Sequence, residues 1–125
     1  MRLELAVPPA ARAGAPVLLS LRLTNLTDYP VTLYLRGRMI AFDFVIRDRQ
    51  GRIVWRRLAT DPVPALPRAE TLASRATISL DHEWNQRDEG GKPVAAGLYS
   101  IEGAVLTDGT PLRSGVASLR IRRWL

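Results

Sequence analysis

The chain has 125 residues, a formal net charge of +6 and no cysteine. These figures allow one domain of ordinary size with a self-sufficient core. They exclude a disulfide framework, a thiolate metal site and a cysteine nucleophile, and the single histidine, His82, excludes a zinc centre built on several histidines.

Lys92 is the only lysine, so arginine carries almost all the positive charge. A basic chain can mean an anionic partner, or only a preference for arginine at solvated positions. No apolar run approaches the roughly 20 residues that span a bilayer. The N-terminus, Met1-Arg2-Leu3-Glu4-Leu5, lacks an export-type apolar core. The expectation is a single cytoplasmic domain over residues 1–125 with no membrane span.

In chain order the pattern is that of strands. Leu3, Leu5 and Val7 suggest a first strand ended by Pro8-Pro9. Val17, Leu19, Leu21 and Leu23 alternate with Leu18, Ser20, Arg22 and Thr24, the period of a half-buried antiparallel strand. A turn over 25–30 leads to Val31, Leu33 and Leu35, again alternating. Ile40, Phe42, Phe44 and Ile46 form the apolar face of the next strand. Asp48-Arg49-Gln50-Gly51 reads as a hairpin turn, with Gly51 where φ > 0 is needed, and Ile53–Arg56 as its partner strand. Residues 59–75 hold Pro62, Pro64 and Pro67 and are expected to be an irregular, stiffened connection, with at most one turn of helix near 68–73. Ile78, Leu80, His82 and Trp84 share a strand face. A polar loop over 85–97 follows, then the alternating strand of Tyr99, Ile101, Gly103 and Val105. Asp108-Gly109 is expected to turn the chain into a last strand, with Ala117, Leu119 and Ile121 on its apolar face. Seven to eight short strands and no long helix predict an all-β protein, an Ig-like antiparallel two-sheet β-sandwich.

Catalytic constellations are thin. His82 is the only candidate base for a Ser-His-Asp arrangement, and it lies between Leu80 and Trp84 as a packed core or rim residue would. Asp81 and Glu83 share one strand face, and nothing singles them out as a catalytic pair. Asp88-Glu89 lies beside Gly90-Gly91, without the spacing of a calcium-binding loop. No cofactor or metal is expected, and the chain reads as a non-enzyme. Arginines two apart (Arg36 and Arg38, Arg47 and Arg49, Arg120 and Arg122) fall on common strand faces. Only Tyr34 and Trp124 lie near them to stack bases, so nucleic acid is the least favoured partner. The bland reading is a solvated face with cross-strand acid partners.

The segment from about Val17 to Thr107 resembles the BsuPI-type intracellular proteinase inhibitor domain of bacteria. The resemblance rests on pieces in order: Asn25 with Thr27, then Pro30-Val31-Thr32-Leu33, Phe42-Asp43-Phe44-Val45-Ile46-Arg47-Asp48, Gly51, Val54-Trp55-Arg56, a strand ending in Trp84, and Pro93-Val94-Ala95-Ala96-Gly97-Leu98-Tyr99. Ala73-Ser74-Arg75 stands where the family pattern has a Pro-Gly-Glu-like turn. Of these residues, Phe42, Phe44, Trp55 and Trp84 are read as core rings, Asn25 as a bond to its own turn, Gly51 and Gly97 as turn residues, and Asp43 as structural. Tyr99 belongs to the same motif. The resemblance implies a binding domain with a protein partner, a subtilisin-like serine protease inhibited by an inserted loop. The candidate loop is Asp61–Arg68, with Pro62, Pro64, Leu66, Pro67 and Arg68, and Leu66 or Arg68 entering the specificity pocket. The second candidate is Asn85–Lys92. The alternative is a structural or protein-interaction Ig-like module that inhibits nothing.

Overall fold

The computed structural model describes residues 1–36, 41–60, 67–107 and 110–123. They form ten strands and one turn of helix: β1 (Arg2–Ala6), β2 (Ala10–Arg12), β3 (Val17–Thr24), β4 (Val31–Arg36), β5 (Phe42–Arg47), β6 (Ile53–Arg56), α1 (Arg57–Thr60), β7 (Pro67–Leu72), β8 (Thr77–Trp84), β9 (Gly97–Val105) and β10 (Leu112–Arg122).

One sheet has the order β1-β3-β8 and the other β2-β10-β9-β5-β6, while β4 and β7 form a separate two-stranded ribbon. The alternation of β3 reappears as strict burial of Val17, Leu19, Leu21 and Leu23. Register sets Leu3 and Leu5 of β1 beside Leu23 and Leu21, and Trp84 of β8 beside Val17. The opposing sheet turns Phe44, Ile46, Ile101, Val105, Leu119 and Ile121 inward, all essentially solvent-free. Gly103 of β9 faces the Leu21 side chain of β3 across the sandwich. A Cβ there would collide with the Leu21 side chain, whose Cγ would lie at 2.9 Å, so only glycine admits Leu21 at full depth. Each large core side chain contributes roughly 1.5–3 kcal/mol by leaving water.

Three expectations are corrected. The irregular reading of 59–75 fails at its C-terminal end: β7 is a strand antiparallel to β4, and α1 precedes it in place of a helical turn at 68–73. Pro67 is tolerated because it is the first residue of β7, in a ribbon of only two strands, where a missing N–H costs little. The sandwich is also not wholly antiparallel, since β2 runs parallel to β10 with Arg12 beside Arg122. Finally, the described residues hold ten strands, because β2 and β7 are too short or too proline-marked to show a period in the sequence. Ile40, Asp108-Gly109, Arg38 and Trp124 lie outside the described residues.

Candidate functional site

The family-motif residues divide by role. Asn25 is fully buried. Its Oδ1 accepts the Thr27 N–H and hydroxyl, as an Asx turn requires. Its Nδ2 donates to the carbonyls of Tyr29, Leu72 and Ala73. The side chain thus ties its own turn to the end of β7, some 47 residues away. Asp43 Oδ1 accepts the Leu58 N–H at 3.0 Å, anchoring the start of α1 on β5. Beside it, the Arg57 guanidinium stacks 3.8 Å from the Phe42 ring centroid and donates to the Phe42 carbonyl. Tyr99 donates its hydroxyl to the carbonyl of Ala95, four residues upstream, at 2.6 Å. That is the tyrosine corner of Ig-like sandwiches.

Of the first candidate loop, Pro62, Pro64 and Leu66 lie outside the described residues. Pro67 and Arg68 are not loop residues: they open β7, opposite Arg36 and Leu35. The second candidate, Asn85–Lys92, is described throughout and is heavily pinned. Trp84 Nε1 donates to the Arg87 carbonyl at 3.0 Å, and Asn85 Oδ1 accepts the Arg87 N–H. Asp88 closes the tip by accepting the Lys92 N–H on Oδ1 at 2.9 Å. Its own N–H donates to the Lys92 carbonyl, and its carbonyl accepts the Gly91 N–H. The Glu89 N–H reaches across to the Val54 carbonyl of β6.

The same device occurs in the β5–β6 turn. Asp48 Oδ1 accepts the N–H groups of Gln50 and Arg52, and Gly51 takes φ +81°, as Gly91 takes +83°. Both turns read Asp-x-x-Gly followed by a base, Asp48 to Arg52 and Asp88 to Lys92. They stand side by side and line a groove of about 340 Å³ with Val54 and Glu89. Desolvation works against the Asp48 carboxylate, but the bonds from Arg52 and Gln50 outweigh it and hold its pKa below the ordinary value.

Next to this pair a cleft of about 400 Å³ opens between β6 and β8, the edge strands of the two sheets. Its aromatic wall is Trp55 stacked on His82, with ring centroids 5.4 Å apart and planes 21° apart, backed by Trp84 at 6.1 Å. Glu83, Arg87 and Glu89 stand on its rim. His82 lies opposite Leu19 in register, half-buried between the sheets, and the carboxylate of Asp81 accepts the Ser20 hydroxyl. What this end of the molecule offers is a rigid, loop-framed surface with an aromatic slot and charges of both signs.

Gln86 is the residue that sequence reasoning missed. It is 2% exposed with φ +59°. Its Nε2 donates to the carbonyls of Arg12 and Ala15, both at 2.8 Å, and its Oε1 accepts the Gly14 N–H at 3.1 Å. It therefore clamps the β2–β3 turn to the candidate loop. The Asp-x-x-Gly-base repeat was the one signal in the sequence that pointed to the paired turns, and nothing in it marked Gln86.

No protein-family profile matches this sequence. A comparison with curated protein sequences likewise returns no match. Solved structures do resemble it. The alkylpurine DNA glycosylase AlkC of Pseudomonas fluorescens, bound to DNA containing an abasic-site analogue, aligns over 97% of this chain at 20% identity and a TM-score of 0.54, and the chain spans only 30% of that protein. The CARDB domain of a Pyrococcus furiosus protein aligns over 98% of this chain and 94% of its own length, at 12% identity and a TM-score of 0.53. A β-glucosidase from Listeria innocua in complex with isofagomine aligns over 96% of this chain and 16% of its own length, at 12% identity and a TM-score of 0.54. At these identities the likeness concerns the fold, and the fold is an all-β, Ig-like β-sandwich.

Proposed function

We propose that this chain is a non-catalytic Ig-like binding module that engages a protein partner with the loop end formed by Asp48–Arg52 and Asn85–Lys92. The observation that carries this reading is the ordering of the Asn85–Lys92 loop by its own Asp88 turn, by Trp84 and by Val54. A surface ordered in advance avoids roughly 0.5–1.5 kcal/mol of entropy loss per side chain on binding. The adjoining cleft, with Glu83 and Glu89 on its rim, suits a basic side chain of the partner.

The finer form of the proposal is stoichiometric inhibition of a subtilisin-like serine protease, with this loop in the protease cleft. The resemblance to the BsuPI-type inhibitor domain supports that choice of partner. Titration of subtilisin-like proteases with the purified chain tests it. Activity is expected to fall to zero at a fixed molar ratio, and Arg87→Ala at the exposed loop is expected to weaken inhibition about tenfold. Full protease activity across a panel, with the chain uncleaved, overturns inhibition and leaves the module without a protease partner.

A further inference from the structure

Among the described residues, four arginines of the five-stranded sheet lack the cross-strand acid partners that a solvated face would give them. Its outer surface gathers Arg47 of β5, Arg120 and Arg122 of β10, and Arg12 of β2. Register fixes the arrangement: Arg47 lies beside Ser100 and Arg120 beside Leu98 on β9, and Arg122 lies beside Arg12. None of the four makes an ion pair among the described residues, whereas Arg2, Arg52, Arg56, Arg75 and Arg113 each have a carboxylate partner. The two acids of this face are already engaged, Glu102 by Arg113 and Asp43 by the Leu58 N–H. Exposed Arg49 and Arg123 flank the group.

We propose that this face binds the phosphate backbone of double-stranded nucleic acid, independently of sequence. The four guanidinium groups spread over three interstrand steps, about 14 Å, and along β10 by about 7 Å. A duplex carries a charge about every 1.7 Å of its axis, about eight over 14 Å counted around both strands, and the part of these that faces the sheet is enough to meet four guanidinium groups. Guanidinium, unlike ammonium, pairs with phosphate oxygens through two parallel N–H bonds. Single strands are the poorer fit, because stacking needs rings on the face, and Phe42, Phe44, Trp55 and Tyr99 of this sheet are all buried in the core.

Fluorescence anisotropy of a labelled duplex of about 20 base pairs, titrated with the whole chain at several salt concentrations, tests this. Four neutralised phosphates predict a slope of log K against log salt of about −3.6, and the double variant Arg120→Gln/Arg122→Gln about −1.8. Arg22→Gln, on the outer face of the other sheet, is expected to leave the slope unchanged. An unchanged thermal midpoint in all variants confirms that folding is intact. Absence of duplex binding at low salt overturns the proposal, as does an unaltered slope in the double variant. Tighter binding of a single strand, or binding of phosphatidylserine vesicles without binding of duplex, overturns it too.

Discussion

Single side chains fix turns against the strands they adjoin. Tyr99 shows this with one bond. Its hydroxyl reaches the Ala95 carbonyl, while its ring packs edge-on against Trp84 with centroids 6.3 Å apart. Tyr99→Phe keeps the ring and loses only the bond, so a loss of about 1 kcal/mol is expected, read as a lower denaturation midpoint at unchanged m. Burial, and then the charge of Asp48, push the Tyr99 phenol above its ordinary value. The folded state thus holds that proton more tightly. The stability it contributes is complete below the unfolded value of about 10 and is lost as pH rises through the folded pKa. Asp48 has the opposite sign. Its pKa is lowered in the folded state, so its contribution is present above the unfolded value of about 3.9 and is lost as pH falls through the folded pKa. Urea denaturation followed from neutral pH to pH 3 is expected to show a shallower acid decline in Asp48→Asn than in the parent.

At the scale of elements, a buried side chain ties one loop to another. Gln86 joins the β8–β9 loop to the β2–β3 turn with three bonds to backbone groups. Gln86→Ala leaves those groups without their protein partner and is expected to cost about 1–3 kcal/mol. Amide hydrogen exchange locates the effect: the Gly14 N–H, which donates to Gln86 Oε1, is expected to lose its protection while the Leu21 amide keeps most of its own. How much of this was legible depends on the range of the interaction. The alternation in β3, β5 and β9 was plain, because burial on one face imposes period 2 on the residues themselves. The Asp48 turn was equally plain, its bonds spanning at most four residues. β7 was hidden because Pro67 marks a strand start as readily as a loop, and only pairing with β4 decides between them. Gln86 was hidden because its partners lie 71 to 74 residues away, and a glutamine in a polar loop carries no local sign of them.

For the whole molecule the decisive contact is between the sheets. Leu21 of β3 and Gly103 of β9 meet between the sheets, and each limits the size of the other. Leu21→Ala removes a fully buried side chain and is expected to cost about 2–5 kcal/mol. That is a large share of the roughly 5–15 kcal/mol that holds a domain folded. Gly103→Ala drives a methyl group into Leu21 and is expected to cost about 1–3 kcal/mol by overpacking. The two changes must not add. In the double variant the new methyl group enters space that Leu21 has vacated, so the pair is expected to be at least 1 kcal/mol more stable than the sum of the single effects. Equilibrium denaturation of the four proteins, followed by the fluorescence of buried Trp55 and Trp84, closes the cycle. Strict additivity would mean that the two sheets do not pack at this point. A favourable coupling places positions 21 and 103 in contact across the sandwich, because relief of one cost by the other requires groups from opposite sheets to touch.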